Sequence, residues 1–353
     1  MQLYHYFPGS NTPEGFVDRF HQILPARRRR RVIVLKGGPG VGKSTFMRRI
    51  GAHFEPRSSV TEYFHCSSDP HSLDAVSFPE AGVCLVDGTA PHIVDPSLPG
   101  AADGILNLGE YLDEGALETA RPELESLQQG IRAQFDRAYC CLRACAALRE
   151  DTAAACNRFI QPDKLRKLCR SLCDQYIPAA GDAPEQKPRE LFLTAYTPDG
   201  LMSLLGDNPA VRVVRLISPW GADVSAVLQA LLDRASHAGI PSISFLDPLF
   251  PDRPAHVCLP GESLLFTTLD VKDAHAQIDL TDLYDPVGLR RESELIIRRR
   301  VTFEMIEHGA CDALHEAHSI HDALEIPYIA HMNFGRWQES FDQTVQKLDR
   351  YFS

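Results

Sequence analysis

The sequence has no apolar run approaching the ~18 residues of a membrane-spanning helix. Its opening, Met1-Gln2-Leu3-Tyr4-His5-Tyr6, lacks the basic and apolar regions of a signal peptide. Positive charge is scarce: 36 Lys+Arg stand against 47 Asp+Glu, a formal net charge of -11. A general binder of nucleic acid or of a membrane surface needs a broad basic face, so this balance argues against both and leaves room only for a local patch. No C-x-x-C pair occurs among the ten cysteines. With no export signal they read as reduced thiols, and the expected compartment is cytoplasmic.

What is present suits a globular chain. Hydrophobic residues make up 44% and charged residues 24% of 353 residues, a length that suggests two domains at about 100–200 residues each. Segment 178–189, PAAGDAPEQKPR, is proline-rich and poor in large apolar residues, which reads as a linker. The predicted organisation is a first domain over 1–177 and a second over 190–353.

The two halves read as diverged copies. Thr12-Pro13-Glu14-Gly15 recurs as Thr197-Pro198-Asp199-Gly200, an offset of 185 residues. Arg31-Val32, Leu35, Gly40, Ser44 and Pro79 recur at an offset of 181, and Leu108 and Asp113 at 172. The order is kept, and the offsets drift only as loop deletions would shift them. Apolar runs at 32–35, 60–65 and 83–86 alternate with a helical stretch at 44–54, and the second half repeats the order at 213–217, 242–246 and 264–267. That alternation predicts an α/β fold with a parallel sheet in each half. Helical patterns over 110–176, with breaks near Pro122 and Pro162, and from 289 onward would extend each half.

The strongest motif is Gly37-Gly38-Pro39-Gly40-Val41-Gly42-Lys43-Ser44-Thr45, which fits G-x-x-x-x-G-K-[ST] between a strand and a helix. Glycines let successive N–H groups ring phosphate oxygens, and the helix adds free amides and its positive dipole end. Lys43 would reach the β- and γ-phosphates, and Ser44 would ligate Mg²⁺ with Thr45 supporting the turn. The second metal anchor and catalytic acid would be Asp87, at the end of an apolar strand. Gly88 rather than Glu follows it, so no convincing general base is visible. No LSGGQ string and no [NT]KxD string occurs; a transporter motor and a GTPase are disfavoured, and ATP is the expected nucleotide.

These residues carry a resemblance to P-loop NTPases. Residues 87–92, DGTAPH, also resemble the Asp-Gly-x-Pro turn of adenylate-kinase-like enzymes, with His92 where those place an acceptor-binding Arg. Together with residues 65–69 and 72–74 and the repeated Thr-Pro-x-Gly, the arrangement resembles an uncharacterised bacterial family of tandem P-loop ATPase-like proteins. Members usually keep a P-loop in both copies. Here the second copy aligns Val224 with Lys43, Asp223 with Gly42 and Thr268 with Asp87, so it is predicted to be degenerate. The resemblance implies nucleotide binding and no substrate.

Weaker constellations complete the reading. His65, Asp69, Asp74 and His92 could line the γ-phosphate side, as water-orienting, acceptor or metal groups. Cys141/Cys145 and Cys169/Cys173 share helix faces, with Cys140 and Cys156 nearby; packing is the simpler reading than a zinc site. His308, His315, His318 and His321 read as a solvated face before a metal site. The run Arg27 to Arg31 reads as a sheet edge, and Arg158, Lys164, Arg166 and Arg170 could supply a finger. The predicted function is Mg²⁺-dependent ATP hydrolysis at one site in the first half, with Lys43, Asp87 and His92 as catalytic candidates. Alternatives are a nucleotide or small-molecule kinase and a non-catalytic ATP-gated adaptor for an unknown partner.

Overall fold

The computed structural model describes residues 2–25, 28–90, 93–178, 184–209 and 211–352. The first half contributes β1 (Gln2–Tyr6), β2 (Gly9–Thr12), β3 (Gly15–Asp18), β4 (Arg31–Lys36), α1 (Lys43–Phe54), β5 (Val60–His65), β6 (Leu73–Phe78), β7 (Val83–Asp87), β8 (Asp103–Asn107), α2 (Glu114–Asn157) and α3 (Pro162–Tyr176). The second contributes β9 (Arg189–Leu191), β10 (Thr194–Thr197), β11 (Gly200–Ser203), β12 (Arg212–Ile217), α4 (Ser225–His237), β13 (Ile243–Asp247), β14 (Phe250–Leu259), β15 (Leu264–Thr267), β16 (Ala276–Asp279), α5 (Pro286–Ala330) and α6 (Phe334–Asp349). The fold is α/β. Among the described residues no helix is long and apolar enough to cross a membrane.

Two six-stranded sheets have the same plan. Their orders are β1-β5-β6-β7-β4-β8 and β9-β13-β14-β15-β12-β16. Five strands of each run parallel, and β6 or β14 runs against them. The sheets are therefore mixed, which corrects the all-parallel expectation. The connections on both sides of β6 are short, at 66–72 and 79–82. Short connections join antiparallel neighbours, whereas a parallel crossover needs a dozen or more residues.

The halves meet about an approximate two-fold, visible because equivalent residues pair with each other. Asn11 faces Tyr196 across β2 and β10 in a four-stranded sheet, and Phe7 bridges Phe192. The bridge Leu112–Met332 has its mate in Ile160–Tyr284. The same bridges show that α2 and α5 lie side by side and antiparallel. Asp113 caps α2 by accepting from Ala116 N–H, and Asp285 caps α5 from Gly288 N–H.

Helices cross between the halves. Leu172 of α3 is buried with Leu228, Leu231 and Phe266 of the second half. Trp337, Phe341 and Leu348 of α6 are buried with Phe46 and Phe54 of α1. The chain boundary at 178–189 thus separates the sheets but not their covering helices. Pro162 starts α3 as predicted, but α2 runs unbroken through Pro122, correcting the expected break. Pro122 is exposed, so the Glu118 carbonyl it leaves unbonded can turn to water.

Candidate functional site

The loop 37–45 lies between the C-terminal end of β4 and the start of α1. β4 is a buried apolar strand flanked by β7 and the edge strand β8, so the loop emerges from an interior strand one in from the sheet's edge. Gly37, Gly40 and Gly42 have φ of 139°, 69° and 80°, a region closed to most side chains. Gly42 caps α1 without a side-chain hydrogen bond, and the first turn holds no acidic residue. The amides that open α1 are therefore left to other acceptors.

Lys43 folds back over the loop. Its Nζ donates to the carbonyls of Gly37 at 3.0 Å and Gly38 at 2.8 Å, and stands 3.7 Å from Asp87 Oδ2. Asp87 is buried at the end of β7, where its Oδ1 accepts from Thr89 N–H at 2.9 Å and Thr89 Oγ1–H at 2.6 Å. Lys36 Nζ steadies the following turn by donating to Gly88 and Val94 carbonyls at 2.7 and 3.0 Å. Ser44 Oγ accepts from Leu73 N–H at 3.0 Å, which ties α1 to the start of β6. Lys43 and Ser44 at the start of α1 and Asp87 at the end of β7 thus line one site.

A cavity of about 950 Å³ opens over the loop. All nine residues 37–45 line it, with Asp69, Asp74, Asp87, Arg48 and Arg132. That volume is at the upper end of small-molecule sites, about 300–1,000 Å³. Its far wall is the α2–α5 pair, contributing Gln128, Phe135 and Tyr139 from one helix and His318, His321 and Glu325 from the other. Phe135 and Tyr139 stack at 5.8 Å, and Tyr139 donates to Asn11 Oδ1 at 3.2 Å.

The predicted candidates divide clearly. Asp69 and Asp74 reach the cavity, and His65 does not line it. His65 Nδ1 lies 2.8 Å from the Pro70 carbonyl, and its Nε2 lies 2.9 Å from His5 Nδ1; burial pushes both imidazoles below their usual pKa. His92 and Arg27 lie outside the described residues. His318 and His321 line the cavity, while His308 and His315 are exposed. Among the described residues no group of three His, Cys, Asp or Glu forms a metal cage. Cys145 and Cys156 are core residues, and burial raises their thiol pKa values. Arg29 donates to the Leu24 carbonyl and Arg30 covers the Tyr351 ring. Arg158 and Arg166 pair with Glu292 and Asp163, Lys164 donates to the Asp282 backbone carbonyl, and neither they nor Arg170 line the cavity.

Sequence reasoning missed what covers the loop. Glu325 Oε1 accepts from Gly40 N–H at 3.0 Å. A Cβ added to Gly38 would meet the Tyr328 ring at 3.1 Å, and one on Gly42 would meet Trp337 Nε1 at 3.1 Å. These groups sit nearly 300 residues along the chain, and no local signal ties them to the motif.

The loop 218–226 keeps one of the three left-handed positions and the following helix. Gly221 has φ of 77°, matching Gly40. Asp223 accepts from Ser225 N–H at 2.9 Å and faces Arg253 at 3.9 Å. Trp220, Leu249, Phe250 and Phe303 pack together where the open space would be. Comparison with protein-family models, with curated proteins and with solved structures gives no match.

Proposed function

We propose that the first half is a P-loop NTPase site that binds Mg·ATP and hydrolyses it, and that the second half is a degenerate copy without a nucleotide. The observation that carries this reading is the convergence on one loop of three left-handed glycines, Lys43 and a buried Asp87 3.7 Å apart. Lys43 would exchange its two loop carbonyls for β- and γ-phosphate oxygens. The amides of Gly38 and of residues 40–45 would hold the same phosphates, Pro39 having no N–H. Ser44 and Asp87 offer hard oxygen donors, which suit Mg²⁺ in a site completed by water and substrate phosphate. Bound there, the ion would neutralise charge on the β- and γ-oxygens. The rest of the reaction is positioning and electrostatics.

The test is Mg·ATP binding and phosphate release by the purified chain beside Lys43→Ala. Binding and turnover by the wild type alone support the reading; absence of nucleotide binding ends it. A small-molecule or nucleotide kinase is the second reading. It is favoured by the cavity's continuation past the loop to Arg132, Tyr139 and His321, and ADP formation that depends on an added acceptor would select it. The tandem family resemblance remains part of this proposal.

A further inference from the structure

Glu325 occupies a position that a nucleotide would need. Its carboxylate accepts from Gly40 N–H at 3.0 Å, one of the amides assigned above to phosphate. Among the described residues this is the bond that the carboxylate makes. One N–H cannot serve two anions at full strength, and a carboxylate beside a triphosphate is repelled. We propose that Glu325 is a built-in occupant of the phosphate site, a latch that holds the loop closed until nucleotide displaces it. This rests on the nucleotide reading of the loop.

The surrounding structure gives the latch a place to move. Pro327 lies inside α5 two residues on. It has no N–H, so the Ala323 carbonyl loses its helical partner and this turn is weaker than its neighbours. Ile326 faces solvent with 66% of its surface exposed, leaving nothing to press the turn inward from outside. Both flanks are fixed. Leu324 and Ala317 are buried, and Asn333 N–H donates to the Tyr111 carbonyl at 2.9 Å while Asp113 N–H donates to His331 at 3.0 Å. The displaced segment is therefore the short turn 325–330, carrying Tyr328 from Gly38 and Ile329 from Gly40.

The degenerate half supplies a control. There the glycine equivalent to Gly40 is covered by Thr152, which a Cβ on Gly221 would meet at 2.5 Å. The Thr152 hydroxyl donates to its own helix at Leu148, 2.7 Å away. The cover of Gly221 is thus a threonine side chain, and the carboxylate of that loop, Asp223, accepts from Ser225 N–H instead.

The experiment measures the Kd of a non-hydrolysable Mg·ATP analogue on the full chain, with Glu325→Gln and Glu325→Ala beside it. Both variants are expected to bind about tenfold or more tightly than wild type, the scale of a hydrogen bond to a charged group. Unchanged or weaker affinity overturns the latch while leaving the nucleotide reading intact. Binding by none of the three overturns both. Amide hydrogen exchange of 323–330 in the wild type needs no variant: the latch predicts faster exchange when the analogue is added, and unchanged or slower exchange refutes it.

Discussion

The loops at 37–45 and 218–226 share a strand, a left-handed glycine and a following helix, yet the first opens on a cavity of about 950 Å³ and the second faces an aromatic cluster. Seven of the nine positions differ, and two of these changes alter charge. Lys43 is replaced by Val224, and Gly42 by Asp223, which sets a carboxylate where phosphate would sit. Around the second loop, Trp220 and Phe303 stack at 5.5 Å edge to face, and Leu249 fills in beside them. The comparison teaches that the backbone plan and the chemistry are separable. A sheet of the same order and direction carries a cavity lined by charged side chains in one half and an aromatic cluster in the other.

The largest expected effect tests how the halves depend on each other. Trp337, only 4% exposed, belongs to the second half by sequence and packs edge-on to Phe46 at 5.3 Å. Trp337→Ala should cost about 3–5 kcal/mol of stability, read by denaturant unfolding, with loss of protection centred on α1 of the first half. A loss confined to the second half would break the account of exchanged helices. Next is Lys43→Ala, expected to reduce turnover about 10²–10³-fold, or about 2.7–4 kcal/mol, in a phosphate-release assay.

A third effect separates the halves by pH. His256 on β14 is buried and its Nδ1 lies 2.8 Å from Thr267 Oγ1, and burial pushes its pKa down from 6.5 to about 4. Its counterpart in the first half is Ala75. Above pH 6.5 the imidazole is neutral in both states. As pH falls below that, the unfolded chain takes up the proton and the native one does not, so stability declines until about pH 4. The decline due to this group is about 3 kcal/mol. His256→Ala should flatten the stability profile over that window; an unchanged slope would refute the assignment. The smallest expected effect is none. Ser218→Gly, Asp223→Gly and Val224→Lys together restore the missing motif residues but not the lining of the first-half cavity, so equilibrium dialysis should find no second nucleotide. Two bound nucleotides per chain would show that the motif residues alone decide binding.

Local features were legible in the sequence. The loop is contiguous, and Asp87 ends a run of apolar residues. The repeated Thr-Pro-x-Gly turns prove structurally alike, with Thr12 Oγ1 donating to Gly15 and Thr197 Oγ1 to Gly200, at 2.8 and 2.9 Å. Features set by distant partners were not. Strand β6 is buried throughout and does not alternate, and the polar run leading into it reads as a loop. Arg132 and Tyr139 carry no mark of facing a ligand until α2 is seen against α5. Glu325 looks like one of many helical glutamates until its helix is found lying across Gly40.

The exchange of α3 and α6 has a consequence for inheritance. A duplicated copy that loses its chemistry is ordinarily free to be deleted. Here deletion would strip α1 of its aromatic cover, so the second half is an architectural dependency of the first. Related chains should therefore vary more at 218–226 than at Trp337 and Phe341.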